Sequence, residues 1–169
     1  MNKQYIFFWS CGKAEGPKRC LSQWFNAPFE VDGIVFPTAE HWMMYWKAVL
    51  FEDYTTADKI LAAQDPQVVK SLGRQVANFN EYIWSQWRYP IVEEGNYYKF
   101  SQNKDICDWL CSTTEHLVEA SPYDTIWGIG LGVGNPDCLD ENTWKGLNLL
   151  GKAIMDVCAR LIEERNNGK

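Results

Sequence analysis

The sequence has no run of apolar residues near the roughly 20 needed to span a bilayer, so a transmembrane helix is excluded as its organising element. Basic charge is in deficit: 16 Lys+Arg against 22 Asp+Glu leave a formal net charge of −6. That balance argues against a broad nucleic-acid or anionic-membrane coat, while leaving room for a local basic pocket around one phosphorylated ligand. Histidine is scarce, and no C-x-x-C occurs among Cys11, Cys20, Cys107, Cys111, Cys138 and Cys158. Cys107, Cys111 and the nearby His116 lack a fourth ligand at zinc spacing, so no metal site is expected. At the start, Tyr5–Trp9 is an apolar run of only about five residues, short of a signal-peptide core. No export signal is therefore expected, the cysteines are expected as reduced, buried thiols, and the location is expected to be cytoplasmic. Internal repeats, linkers and low-complexity segments are absent.

What is abundant is aromatic: nine Trp, eight Tyr and eight Phe among 169 residues, within a 46% hydrophobic chain. Indole N–H and phenol O–H groups need partners when buried, so some of these rings are expected to line something besides a core. The expected fold is α+β and predominantly α-helical, a single domain over 1–169 with a small β-hairpin/sheet element and a polar tail from about 163. Residues 5–9 are β-prone, and 11–23 read as a loop. Asp32-Gly33 between Phe29-Glu30-Val31 and Ile34-Val35-Phe36 is a two-residue hairpin turn. Thr38 caps a helix over Ala39–Leu50, and a short helix opens at Thr55 and runs to about Ala63. Asp65-Pro66 starts another helix that Gly73 can end. A helix begins at Asn80, Pro90 is expected to break or kink it, and a further helix runs from Ile91 to Phe100, weakened by Gly95. Lys104–Cys111 is a short helix, His116–Glu119 a strand, and 121–142 a long glycine-rich loop. Leu147, Leu150, Ile154, Val157 and Leu161 form one apolar stripe of a final helix.

Three constellations carry chemistry. Glu40 and Lys47 stand about two turns apart on one helix face, with Met43 and Met44 between them. They are either the wall of a pocket or the solvated rim of an amphipathic helix. Trp42, Tyr45 and Trp46 make this helix apolar almost all round, which would bury the pair and perturb their pKa values. His41 is either a general base or a packed, satisfied imidazole. Second, glycines at 128, 130, 132 and 134 follow Asp124 and Trp127. This is not a dinucleotide fingerprint, since Asn135-Pro136-Asp137 follows where a helix should start. It is either an anion nest or a flexible loop. Third, Gly73-Arg74 at a helix end is either a phosphate clamp or a surface salt bridge.

Taken in order, Leu21-Ser22-Gln23-Trp24-Phe25, Pro28-Phe29, Glu40 with Met43-Met44 and Lys47-Ala48, Leu72-Gly73-Arg74, Trp84, Lys99-Phe100, Val118-Glu119-Ala120-Ser121-Pro122 with Asp124, Trp127-Gly128 and Gly130, Trp144, and Gly146-Leu147-Asn148-Leu149-Leu150-Gly151 resemble the NADAR family (YbiA-like N-glycosidases) from about Phe7 to Leu161. Two positions stand apart. The family often has Arg where this chain has Cys158, with Arg160 two residues on, and its counterpart of His41 is commonly Gln or His.

The resemblance implies hydrolysis of an N-glycosidic bond in a phosphorylated riboside, with no cofactor. Cleaving such a bond builds positive charge on the ribose, which a carboxylate in a dry site stabilises. By resemblance Lys47 is the nucleophile, Glu40 moves its protons, and Asp124 is a second candidate for charge stabilisation. Ser22, Trp24, Arg74, Trp84, Trp127, Gly128, Gly130 and Asn148 are the expected substrate-binding residues. Stacking falls to Trp84 and Trp127, and phosphate to Arg74, Ser22 and the glycine-loop N–H groups. The expected partners are a phosphorylated riboside or ADP-ribose, including ADP-ribosylated nucleic acid, and no membrane. Three readings stand: removal of ADP-ribose from guanine, the same chemistry on phosphoribosyl-aminopyrimidine intermediates of riboflavin synthesis, and a non-catalytic module that binds ADP-ribose or NAD. An intact Glu40–Lys47 pair favours the enzymes.

Overall fold

A computed structural model describes residues 4–10 and 15–168; Cys11 and the first part of the expected 11–23 loop lie outside the described residues. The elements run β1 (Tyr5–Phe8), β2 (Phe29–Val31), β3 (Ile34–Phe36), α1 (Ala39–Leu50), α2 (Tyr54–Ala62), α3 (Pro66–Gly73), α4 (Glu81–Gln102), α5 (Lys104–Ser112), β4 (His116–Glu119) and α6 (Leu149–Asn167). The fold is α+β and predominantly helical, as its sequence indicates. The chain forms two compact units, one of residues 23–104 and one combining the segments before and after it.

In the unit of residues 23–104, β2 and β3 make an antiparallel hairpin with Phe29 opposite Phe36. Asp32 (φ 51°) and Gly33 (φ 80°) supply the two left-handed residues of its turn. Helix α1 starts where expected: Thr38 accepts the His41 N–H, satisfying one of the orphan donors of the first turn. Asp65, before Pro66, and Asn80 cap α3 and α4 in the same way. The core of this unit is aromatic, with Phe29, Phe36 and Trp42 buried together against Tyr45, Trp46 and Tyr98.

Helix α4 departs from expectation. It runs unbroken through Pro90 for 22 residues. Pro90 and Gln86, whose carbonyl loses its N–H partner, both lie on the exposed face, where water replaces that bond. On the opposite face Val92, Asn96, Lys99 and Phe100 are buried. Gly95 is not a weakness but a contact. A Cβ there would stand 2.3 Å from Trp42 Cδ1, and the indole that crosses it donates to the Ile91 carbonyl at 2.7 Å. Gly73 likewise leaves room for Met44, whose sulfur would lie 1.9 Å from an added Cβ.

In the other unit, β1 and β4 pair in parallel, with Tyr5 opposite His116 and Phe8 opposite Glu119. Val118, Ala120, Ile129, Leu131 and Cys138 are buried around them. The long loop contains two short 3-10 turns, Pro136–Leu139 and Glu141–Thr143. Helix α6 starts at Leu149, after the expected first stripe residue, Leu147, which is exposed. The break falls at Asn148, whose φ of 52° is left-handed, a conformation asparagine tolerates better than other side-chain-bearing residues. Among the described residues no helix is long and apolar enough to cross a membrane.

Candidate active site

Helix α1 carries both members of the expected pair. Glu40 lies in its first turn, 5% exposed, and its N–H donates to the Gln23 carbonyl at 3.0 Å. A carboxylate is favoured there by the positive end of the helix dipole. Lys47 lies two turns on, half-buried, in the last turn. Its Nζ donates to the Gly73 carbonyl at 2.8 Å, which fixes the amine to the C-terminal end of α3. The ammonium stands 4.3 Å from the Phe79 ring centroid and 5.6 Å from that of Trp84. Burial pushes the Lys47 pKa below the ordinary lysine value, Glu81 pushes it back up, and Arg74 pushes it further down. The structure thus brings Lys47, Arg74 and Trp84 into one neighbourhood, together with Phe79 and Glu81. Trp84 is buried, whereas Phe79 is 42% exposed and packs edge-on against Phe51. The ring open to a planar ligand here is Phe79, which the sequence did not single out; Glu81, in the first turn after the Asn80 cap, was also missed.

The imidazole of His41 is a packed group. It is fully buried, with Nδ1 2.8 Å from the Thr38 hydroxyl and Nε2 3.1 Å from the Ala63 carbonyl. A carbonyl only accepts, so Nε2 carries the proton and Nδ1 accepts from Thr38. Burial holds its pKa below the usual value, keeping the ring neutral.

A buried polar cluster lies on α4. Asn96 and Lys99, one turn apart, are both fully buried. Asn96 Nδ2 donates to the Val92 carbonyl at 2.8 Å and to Gln23 Oε1 at 2.9 Å. The Val92 bond fixes the orientation of the Asn96 amide and hence that of Gln23. Gln23 Nε2 and Asn96 Oδ1 are then buried without a hydrogen-bond partner among the described residues. The ammonium of Lys99 is 5.1 Å from the Phe100 ring and 6.0 Å from the Phe25 ring. A signal for Lys99 was present: it shares the stripe of Val92, Asn96 and Phe100. Trp24 is half-buried, with Lys70 Nζ 5.9 Å from its ring.

The remaining expected residues belong to the other unit. Ser22 is buried at the end of the 3-10 turn Pro17–Leu21. Asp124 Oδ1 accepts the N–H groups of Ile126 and Trp127, both at 2.8 Å, and the Asp124 carbonyl accepts from Gly130. The Ile129 N–H goes to the Glu119 carbonyl. The loop is therefore clamped rather than flexible, and the N–H groups of Trp127, Ile129 and Gly130 are occupied rather than offered to phosphate. Gly128 is packed so that a Cβ would meet the Glu119 oxygen at 2.8 Å. Asn148 uses both ends of its amide on β4: Oδ1 accepts the Glu119 N–H and Nδ2 donates to the Leu117 carbonyl, each at 2.9 Å. The Asn148 side chain, an expected substrate-binding group, extends the ladder of that strand. Trp127 is half-buried beside them.

Among the described residues no group of three or more His, Cys, Asp and Glu is arranged to hold a metal ion.

Residues 7–162 match the NADAR domain model. N-glycosidase R617 of Acanthamoeba polyphaga mimivirus is 42% identical over 160 residues, covering 91% of this chain and 94% of that protein. The riboflavin biosynthesis protein VVA0006 of Vibrio vulnificus is 28% identical over 162 residues, covering 95% of this chain and 40% of that protein. The NMR structure of the E. coli protein YbiA superposes with a TM-score of 0.77 at 25% identity, covering 98% of this chain and 89% of that one. With the family model spanning nearly all of the sequence, from β1 into α6, the chain belongs to the NADAR family.

Proposed function

We propose that this NADAR-family hydrolase of N-glycosyl compounds removes ADP-ribose from ADP-ribosylated guanine bases, with Lys47 as nucleophile and Glu40 as the proton-transfer group. The observation that supports this reading most is the state of the Lys47 amine. It is half-buried, its pKa is lowered chiefly by desolvation, and it is tethered to the Gly73 carbonyl beneath an aromatic ring. Desolvation raises the share of neutral amine, the form with a lone pair for attack. The amine bonds to the anomeric carbon, the C–N bond to the base breaks, and the base leaves with a proton from Glu40. Water then attacks the anomeric carbon, its oxygen replaces the lysine nitrogen there and its proton returns to Glu40, restoring the neutral amine and releasing ADP-ribose. Arg74 is exposed and fits a phosphate. The open face of Phe79 fits a planar base. The free thiols Cys20, Cys107, Cys111, Cys138 and Cys158 suit a cytoplasmic setting.

A second substrate, a phosphoribosyl-aminopyrimidine of riboflavin synthesis, is favoured by the name of the Vibrio vulnificus relative. Incubation of the protein with DNA carrying ADP-ribosylated guanine and, separately, with the aminopyrimidine riboside phosphate, followed by mass analysis, tests the two. Release of ADP-ribose from the first supports the proposal. Cleavage confined to the second replaces it, and binding of ADP-ribose without cleavage of either identifies a binding module. Glu40→Gln is expected to lower turnover about 10²–10⁴-fold while retaining ADP-ribose affinity. A parallel fall in affinity with turnover unchanged makes Glu40 a ligand anchor instead.

A further inference from the structure

Three of the described cysteines meet where α5 touches α6. Cys107 and Cys111 are four residues apart on α5 and so share a face. Arg165 Nη2, on α6, donates to Cys107 Sγ at 3.1 Å and to Asp108 Oδ1 at 2.7 Å. Two turns earlier on α6, Cys158 Sγ donates to the Leu110 carbonyl at 3.5 Å. The Cys111 thiol has both Cys107 and Cys158 as electrostatic neighbours, and Leu110, whose carbonyl Cys158 contacts, directly precedes it. Cys107 is buried, whereas Cys111 and Cys158 are half-buried, so the two thiols with access to solvent are the two that face each other across the helices. This is also where the chain departs from the pattern it resembles, with Cys158 standing where the family often has Arg.

We propose that Cys111 and Cys158 are a redox pair that closes to an interhelical disulfide by exchange with a small disulfide such as oxidised glutathione. One of the two thiolates attacks a glutathione sulfur, the glutathione S–S bond breaks, and one glutathione leaves as a thiol. The second protein thiolate attacks the resulting mixed disulfide and expels the other glutathione. The protein loses two electrons and two protons, and one oxidised glutathione becomes two reduced ones. Cys107 and Cys111 are poor partners for each other, since they lie on consecutive turns of one helix and a bridge between them would tie α5 only to itself.

Burial pushes both thiols above their ordinary pKa, while Arg165 pulls both back down. Scarce thiolate makes the exchange slow at neutral pH. A basic thiol is also a poor leaving group, which makes the finished disulfide hard to reverse. The pair thus responds to sustained oxidation rather than to brief exposure.

The test treats the full-length protein with oxidised glutathione at pH 7 and pH 8.5, blocks remaining thiols with an alkylating reagent under denaturing conditions, and maps the peptides by mass. The expected product has lost two hydrogens and carries one cross-link, between the peptides of Cys111 and Cys158. It forms about tenfold faster per pH unit and raises the melting temperature by roughly 5–10 °C through the long loop it closes. Cys111→Ser and Cys158→Ser are each expected to stop at a stable mixed disulfide, and Cys107→Ser to cross-link like the wild type. Full alkylation of both Cys111 and Cys158 after treatment, or a cross-link mapped to another pair, overturns the proposal.

Discussion

Substituting Gly95 by alanine separates helix propensity from packing with opposite signs. In an exposed helix interior the change stabilises by about 1 kcal/mol, because glycine loses more backbone freedom on folding. In α4 the new Cβ would stand 2.3 Å from Trp42 Cδ1 and 2.8 Å from both Cγ and Nε1 of the same ring. An indole is rigid, so the whole ring must move. Moving it breaks its 2.7 Å bond to the Ile91 carbonyl, worth about 1 kcal/mol net. It also disturbs the buried cluster of Phe29, Phe36 and Trp42, and overpacking of that kind costs about 1–3 kcal/mol. Gain and losses leave Gly95→Ala destabilised by roughly 1–3 kcal/mol, a fall in melting temperature of about 3–9 °C for a chain of this size. Urea unfolding of wild type and variant measures it directly. Because Trp42 lies between Glu40 and Lys47 on α1, turnover is expected to fall with stability even though Gly95 is remote from the amine. Unchanged or increased stability in Gly95→Ala would refute the packing argument outright.

Substitutions at three further positions probe the titrating groups and the clamped loop. Burial lowers the Lys47 pKa below its unfolded value of about 10.4, so at alkaline pH the unfolded chain holds more protons and folding strengthens as pH rises. The stability of wild type relative to Lys47→Met is therefore expected to increase as pH rises toward about 10.4, and turnover of the variant to be lost; a flat stability difference refutes the burial assignment. His41 also has a lowered folded pKa, so its contribution is present above about 6.5 and is lost as acid protonates the unfolded chain first. His41→Gln is expected to flatten the fall in stability just below that pH, as read by thermal melts in a buffer series. Asp124→Ala removes the acceptor of two N–H groups and is expected to speed hydrogen exchange at Ile126 and Trp127, whereas Asp124→Asn keeps one carbonyl acceptor and is expected to preserve their protection. Equal exchange rates in the two variants would show that the carboxylate does not hold the loop.

Much of the fold was legible because local chemistry wrote it. Asp32-Gly33 has few alternatives to a hairpin turn, and Thr38, Asp65 and Asn80 each cap the helix that follows them. What was not legible depends on residues far away in sequence. Pro90 signals a break to any local rule, and only the exposure of its face together with burial of Val92, Asn96, Lys99 and Phe100 opposite shows why α4 continues. Gly95 signals weakness until Trp42 is laid across it. The parallel pairing of β1 with β4 joins segments more than a hundred residues apart, beyond what two short apolar runs specify.

The candidate site divides along the same line. Asp124 and Asn148 have the side chains of a catalytic acid and a sugar ligand, but a carboxylate or amide beside glycine-rich backbone is as well suited to bonding peptide groups, and here both do so. The lysines show what periodicity leaves out. Lys47 and Lys99 both lie on apolar helix faces, where a long stem covers hydrophobic surface and the amine seeks water. Spacing does not distinguish an amine that reaches an edge from one enclosed entirely. The difference lies in the neighbouring element: α3 stops at Gly73 and leaves a carbonyl for Lys47, next to Phe79 and the charged Arg74 and Glu81, whereas Lys99 is wholly buried near Phe25 and Phe100. A half-buried amine next to an exposed ring and a guanidinium is reachable by a substrate. One that is fully enclosed acts only through the residues packed around it. That physical distinction supports Lys47, the residue to which the family resemblance points, as the proposed nucleophile.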